Sequence, residues 1–287
     1  MKYSTLRINF ILLFFRVKNR YALESYKRVL FKLDDFFEKN NTVKSSDLET
    51  FDLTQNMKDK LNNILKNKNE AEKNKQKYKK YIDLLELPGI GFKFIEKALN
   101  KDIHTDNIMQ HKNEIPSETL LFLTYKPKKP IKRNIIEKIE KDLFKEGETV
   151  ITGSYRRKKE TSNDIDVVTT LSFVEILRKL GAKYNIVPVK KGKSSAMLLI
   201  KPNNDKNFYK MDLFMGTKEE FPFLILYSTG NKKFNIMTRS RAKKLGFLLT
   251  QEGLYKNGKR VSGLTSEREI LKKINYPYVE PKDRECI

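Results

Sequence analysis

The chain has 287 residues, with 59 Lys and Arg against 36 Asp and Glu, a formal net charge of +23 and a pI near 9.7. A surplus of that size points to a polyanionic partner, with nucleic acid foremost. One cysteine, Cys286, and two histidines, His104 and His111, exclude a disulfide framework and a His/Cys zinc site, so an intracellular, reducing compartment is expected.

The apolar run Ile8–Phe15 is far short of a ~20-residue membrane span and is followed by basic residues with no small-residue cleavage site. It predicts a buried helix and no membrane association. From Tyr21 to Phe37, apolar residues recur at Leu23, Tyr26, Val29, Leu30, Leu33 and Phe37, the spacing of an amphipathic helix that ends at Asn40 and Asn41. Ser46 followed by Glu49 has the pattern of a capping box, and Met57, Leu61, Ile64 and Leu65 continue as a further helix. The stretch NKNEAEKNKQKYKK (67–80) offers almost nothing apolar to bury, which predicts a linker or a solvated helical face and a domain boundary. Helix resumes at Tyr81, breaks at LPGIG (87–91), and resumes with Phe94, Ile95, Ala98 and Leu99 on one face. That is helix, glycine hairpin, helix. Pro127 and Pro130 mark the next boundary, and Ile131, Ile135, Ile136, Ile139 and Leu143 mark a helix that stops near Gly147.

Beyond Gly147 the period changes. β-rich runs lie at Val150–Thr152, Ile165–Thr170, Ile186–Val189, Met197–Ile200 and Tyr209–Met215, and Ser172 with Glu175 opens a helix between the second and third. The turn KPNNDKN (201–207) suits an antiparallel hairpin joining the last two. The order is helical first and α+β second, with no repeat of solenoid type.

Within this second half, Asp164 and Asp166 are two residues apart, so in a strand they project to one face while Ile165 faces the core. Two like charges held that close call for a cation between them, and oxygen donors without His or Cys favour Mg²⁺ or Mn²⁺. Asp212, alternating with Met211 and Leu213, adds a third carboxylate on a strand that can lie beside the first. Three carboxylates can hold two metals that activate a hydroxyl and stabilise a phosphate leaving group. The Gly153–Ser154 turn, followed by Arg156 and Arg157, offers backbone N–H groups, a hydroxyl and fixed positive charge to an anion. An exposed acidic patch on a strand edge is the simpler alternative for Asp-x-Asp alone.

The blocks GSYRRKKETSNDIDVV (153–168), MDLF (211–214), LYSTGNKKFNIMTRSRAKKLGF (226–247) and YPYVEPKDR (276–284), in that order, resemble the palm and thumb of a family X DNA polymerase of the polymerase beta type. The likeness runs from about Tyr81 to the end and less clearly back to Tyr21. It implies an α+β chain with four parts. These are a helical lyase-like N-terminal domain (1–70), a helix-hairpin-helix subdomain (71–128), a nucleotidyltransferase palm of mixed sheet and helices (129–217), and a small α/β thumb for nucleotide selection (218–287).

By that resemblance Asp164, Asp166 and Asp212 hold two Mg²⁺ ions, for which Mn²⁺ can substitute, and Asp212 lies nearest the primer 3′-hydroxyl. Gly153, Ser154, Arg157 and the backbone at Asn163 hold the nucleotide phosphates. Tyr227 and Gly230 line the sugar, Asn235 reaches the base, and Arg239 contacts the template strand. Gly89, Gly91 and Lys93, with Lys97 nearby, grip DNA phosphates, and the carbonyls of Leu85, Leu87 and Ile90 hold Na⁺ or K⁺. In the N-terminal part the alignment puts Lys60 at the position of a Schiff-base lysine that eliminates a 5′-deoxyribose phosphate. Arg28 and Lys58 then meet the 5′-phosphate and Tyr21 lines the pocket, although Asp52 and Thr54 replace the hairpin glycines expected there.

Four further positions depart from the family pattern. Asn163 stands where glycine is usual and is expected to take a positive φ. Ser228 replaces an aromatic residue, Lys158 a glycine and Ile236 a lysine. The implied activity is template-directed filling of short gaps in DNA during base excision repair, by a monomer acting on gapped or nicked DNA and deoxynucleoside triphosphates beside a DNA ligase. A template-independent terminal or RNA nucleotidyltransferase and a catalytically inactive DNA-binding protein are the alternatives. The Asn- and Lys-rich composition suits a large AT-rich DNA virus, with nucleus, cytoplasm, viral factory or virion as the compartment.

Overall fold

The computed structural model describes residues 1–16, 22–37, 40–143 and 147–286. It divides into two compact units, 1–120 and 121–287. Tyr21 lies outside the described residues.

In the first unit, helix α1 (Tyr3–Arg16) buries Leu6, Ile8, Phe10 and Ile11, as the apolar run predicted. Helix α2 (Ala22–Phe37) adds Tyr26, Val29 and Leu33 to the same core, and α3 (Gln55–Lys66) adds Met57, Leu61, Ile64 and Leu65. Ser46 does not cap α3. A 3-10 turn (Ser45–Thr50) intervenes, and the Asp47 carboxylate accepts from the Lys44 N–H at 2.7 Å.

The charged stretch 67–80 is helix α4 (Lys68–Ile82), and it packs on α1. Ala71 and Ile82 are buried, and Asn9 bridges the two helices by donating to the Ala71 carbonyl at 2.8 Å while accepting from Asn74 at 2.9 Å. A buried carboxamide with satisfied hydrogen bonds substitutes here for the apolar residues the stretch lacks. Helix α5 (Phe92–Asn100) follows the glycine hairpin, and α6 (Ser117–Tyr125) carries the chain through the 120/121 division.

In the second unit, β1 (Ile131–Lys132) leads into α7 (Arg133–Leu143). Strand β2 (Thr149–Ile151), a one-turn helix α8 (Gly153–Arg156) and the short β3 (Thr161–Ser162) follow. Next come β4 (Ile165–Thr169), α9 (Phe173–Gly181), β5 (Tyr184–Lys191), β6 (Ser195–Pro202) and β7 (Tyr209–Met215). The Ser172–Glu175 capping box opens α9 as expected. The main sheet has the order β2-β4-β7-β6-β5, with β4 and β7 parallel and the other neighbours antiparallel. Ile136, Ile139 and Leu143 of α7 and Ile176 and Leu180 of α9 form one core with Ile165, Val167, Met211 and Leu213 of the sheet. That leaves the alternate residues of β4 and β7, including Asp166 and Asp212, on the other face.

The remainder comprises α10 (Phe221–Thr229), α11 (Lys232–Lys244), the antiparallel strands β8 (Phe247–Leu249), β9 (Leu254–Lys256) and β10 (Lys259–Arg260), and α12 (Glu267–Lys273). They close on a second core of Phe223, Leu226, Phe234, Ile270 and Leu271. A 3-10 turn (Pro281–Cys286) ends the described chain. Its Arg284 is fully buried, donating to Glu267 at 3.0 Å and lying 4.4 Å from the Phe234 ring.

Candidate active site

Asp166 and Asp212 are direct register partners across the parallel pair β4·β7, so their carboxylates share the face opposite the core. Asp164 sits one residue before β4. Lys210, two residues before Asp212 and on the same face, reaches both flanking carboxylates, with its ammonium 3.1 Å from Asp164 and 2.5 Å from Asp212. Sequence reasoning missed Lys210. The signal was available in its two-residue spacing from Asp212, but among so many lysines the type carries no information.

The charges on this face act on one another. Burial, then the neighbouring Asp164 and Asp212 charges, pushes the Asp166 carboxyl up to about 7, with Lys210 and Arg157 opposing. Burial also raises Asp212, against the pull of Lys210. Burial pulls Lys210 down, but Asp212 and then Asp164 outweigh it and hold its ammonium above the usual lysine value. One ammonium thus balances part of a three-carboxylate cluster. Among the described residues no ready-made group of three or more His, Cys, Asp or Glu side chains converges on a metal position. The residues still fit a divalent cation in kind, because hard oxygen donors crowd one wall and carry more negative charge than Lys210 offsets.

Facing Asp166 is the turn of α8. Gly153 has φ +59°, and a Cβ there would lie 2.0 Å from the Asp166 carboxylate, so both conformation and space require glycine. Ser154 donates to Ser162 at 2.7 Å, which fixes its hydroxyl beside the turn. Asn163 is exposed and is not among the residues with positive φ, contrary to expectation. The left-handed residue is Lys158, at φ +66° on the exposed end of the turn. A left-handed side chain costs roughly 1–2 kcal/mol while glycine adds about 0.5–1 kcal/mol of chain entropy, so Lys158→Gly is expected to stabilise by about 0.5 kcal/mol. A denaturation midpoint checks this.

The two arginines differ in role. Arg156, expected to add charge for an anion, points away into a structural network, donating to Thr229 Oγ1 at 2.6 Å and to the buried Glu267 at 2.5 Å. Arg157 donates to the Thr229 carbonyl at 2.6 Å and pairs with Glu285.

The thumb residues named from sequence lie close together. Arg239 stands 5.0 Å from the Tyr227 ring centroid, and Asn235 donates to the Tyr227 carbonyl at 2.7 Å. Ser228 bonds back to the Leu224 carbonyl at 2.7 Å within α10, and Gly230 takes φ +63° just after it. Ile236 is exposed on α11.

Two further sites belong to the first unit. Gly89 has φ +81°, and a Cβ would meet the Glu118 side chain at 2.6 Å, so the hairpin also needs glycine. Thr119 donates to the Pro88 carbonyl at 2.6 Å and Ile90 N–H to the Leu87 carbonyl at 3.2 Å, which brace the loop. Gly91 takes an extended φ of −123°, and a Cβ there would meet open space. Lys93 is exposed beside the hairpin, whereas Lys97 is paired with Glu114 at 3.1 Å. Lys60 is half-buried, with its amine 3.1 Å from the Tyr26 hydroxyl and 5.1 Å from the Tyr26 ring centroid. It opens on a cleft of about 190 Å³ that Asn63, Asn67, Glu70 and Asn74 also line. Arg28 is exposed on α2, and Lys58 is tied to Glu49 at 3.0 Å.

Comparison with known proteins decides the family. The family model described as DNA polymerase beta palm matches residues 128–216, and that described as DNA polymerase beta thumb matches 224–285; together they span more than half of the chain. The chain belongs to family X of the DNA polymerases. Proteins named Repair DNA polymerase X from two isolates of African swine fever virus are similar to it. One is 32% identical over 141 residues, covering 47% of this chain and 80% of the relative. The other is 31% identical over 140 residues, covering 46% and 78%. The protein named DNA polymerase/3′-5′ exonuclease PolX from Bacillus subtilis is 28% identical over 137 residues, which is 46% of this chain and 23% of that protein. This family X polymerase is therefore a DNA-directed nucleotidyltransferase with DNA as a substrate. Among its described residues no helix is long and apolar enough to cross a membrane.

Proposed function

We propose that the polymerase fills short gaps in DNA during base excision repair by two-metal nucleotidyl transfer. The observation that carries this reading is the in-register pair Asp166 and Asp212 with Asp164 beside it, facing the Gly153 turn. Asp164, Asp166 and Asp212 would hold two Mg²⁺ ions, which supply the positive charge that makes a 3′-hydroxyl acidic and stabilises phosphate oxygens; Mn²⁺ can substitute. Lys210 keeps the carboxylate wall together in the free chain and has to give up its contact with Asp212 for that carboxylate to orient the primer hydroxyl. Ser154, Arg157 and the backbone at Gly153 and Asn163 bind the triphosphate of the incoming deoxynucleotide. Tyr227 and Gly230 line its sugar, Asn235 leaves the Tyr227 carbonyl for the base, and Arg239 leaves the Tyr227 ring for the template strand. Closure around a correct pair supplies specificity.

The same reading gives the first unit a second activity. The Lys60 amine would condense with the sugar aldehyde of a 5′-deoxyribose phosphate, losing water, and β-elimination would then free the phosphate end of the DNA. The Tyr26 hydroxyl accepts a hydrogen bond from this amine at 3.1 Å, which supports the reading. Arg28, exposed on α2, would meet the 5′-phosphate, whereas Lys58 would first leave Glu49. Gly89, Gly91 and Lys93 contact the DNA backbone. The Leu87 carbonyl, with one lone pair engaged by Ile90, keeps a second for Na⁺ or K⁺ alongside the carbonyls of Leu85 and Ile90. We retain the four-part division 1–70, 71–128, 129–217 and 218–287, a monomeric state and an intracellular setting, with a DNA ligase to seal the product nick.

A duplex with a single-nucleotide gap, prepared with each of the four template bases, tests this reading. The expected result is metal-dependent addition of one complementary nucleotide. Addition that ignores the template base would replace it with a template-independent transferase.

On this reading the segment carrying Ser228 sits against the sugar, where a larger side chain would leave it less room. Ser228→Phe is expected to raise discrimination against ribonucleotides by roughly tenfold, the scale of one packing contact. Competing dNTP and rNTP incorporation on the gapped duplex measures it; equal discrimination in both proteins would remove Ser228 from sugar selection.

A further inference from the structure

The contact between Arg157 and Glu285 has no part in the chemistry above. Arg157 lies at the end of the α8 turn, with its side chain only 13% exposed. Two acceptors hold it, the Thr229 carbonyl at the end of α10 and the Glu285 carboxylate on the turn Pro281–Cys286. The second carboxylate oxygen of Glu285 takes Lys159 at 2.9 Å, so one acid spans two cations on the exit of the phosphate turn.

Glu285 follows directly on an anchored residue. Its neighbour Arg284 is fully buried and bonded to Glu267 and to the Val279 carbonyl at 3.1 Å, and the Arg284 carbonyl accepts from Asn231 at 2.7 Å. The anchor on one side fixes where the next side chain emerges. Burial works against the charged carboxyl, yet Arg157 and Lys159 hold it below the usual glutamate range.

A carboxylate bridging a guanidinium and an ammonium occupies the hydrogen-bonding positions that phosphate oxygens would use. We propose that Glu285 is an internal competitor for the triphosphate site, which an incoming nucleoside triphosphate displaces from Arg157 and Lys159. The proposal rests on the assignment of Arg157 as a phosphate ligand. The outer phosphates of a triphosphate would take the place of the carboxylate on Arg157, whereas a monophosphate has none to put there.

The test titrates the full chain, bound to gapped DNA with a dideoxy-terminated primer in Mg²⁺, with the correct dNTP and separately with the matching dNMP. Wild type is compared with Glu285→Gln, Glu285→Ala, Arg157→Ala and the Arg157→Ala/Glu285→Gln double variant. Loss of one charge-assisted contact from the free state should tighten dNTP binding roughly tenfold in Glu285→Gln and Glu285→Ala. The dNMP, which lacks the outer phosphates assigned to Arg157, should gain less, and Arg157→Ala should weaken dNTP binding. Most of the Glu285→Gln gain should vanish in the double variant, because contacting groups are not additive. On an extendable primer, KM for dNTP should fall with little change in kcat, a split that simple loss of stability would not give. Unchanged or weaker dNTP binding in both Glu285 variants, with Arg157→Ala still weakened, would overturn the proposal alone. Unchanged binding in Arg157→Ala would overturn the phosphate assignment beneath it.

Discussion

Asp212→Ala is expected to lower templated extension on a gapped duplex by about 10³–10⁴-fold, the range of a lost group that orients and deprotonates a reacting hydroxyl. Asp212 is the register partner of Asp166 and the only one of the three carboxylates that approaches Lys210 to 2.5 Å. Removing it leaves Lys210 paired with Asp164 alone and takes from the strand face the group that addresses the primer. Because Asp212 is half-buried on the sheet face opposite the main core, the variant should keep its fold and its affinity for gapped DNA. Rapid-quench extension beside an anisotropy titration separates the two effects. Extension within tenfold of wild type would remove Asp212 from the chemistry.

Lys60→Ala is expected to lower release of a 5′-deoxyribose phosphate by at least about 100-fold, as for loss of a covalent nucleophile or acid–base group. Borohydride should no longer trap the chain on DNA, and extension should persist. The half-buried Lys60 amine meets a hydroxyl and a ring face of the same tyrosine and opens on a polar cleft, unlike a lysine that only solvates a helix. Tyr26→Phe keeps the ring and removes the hydroxyl, so it should fall between wild type and Lys60→Ala. Undiminished trapping in Lys60→Ala would assign the nucleophile to another amine and leave this region as a DNA clamp.

The sequence carried much of the site because strand periodicity is local. Alternation of Asp164, Ile165 and Asp166, and of Met211, Asp212 and Leu213, already separates a core face from a carboxylate face. The strands fell within a few residues of their predicted spans, and the Ser172 capping box was read correctly for the same reason. Packing decided what local pattern left open. Stretch 67–80, read as a linker or a solvated helical face, is a helix, and α4 folds onto α1 through Ala71, Ile82 and the Asn9–Asn74 pair. Positive φ was expected at Asn163 from residue type, but the turn places it at Lys158.

By itself, then, the sequence determined an α+β polymerase of family X, the carboxylate face of each of the two strands, and the glycines at 89 and 153 where a turn demands them. Tertiary structure alone decided which charges meet. Lys210 among the carboxylates, Arg156 in the Glu267–Arg284 network and Arg157 under Glu285 join residues up to 128 positions apart, as Arg157 and Glu285 are. Charge acts through space over a few ångströms and carries no periodic trace along a chain with 59 cationic side chains, so only the packed fold could single out these pairs.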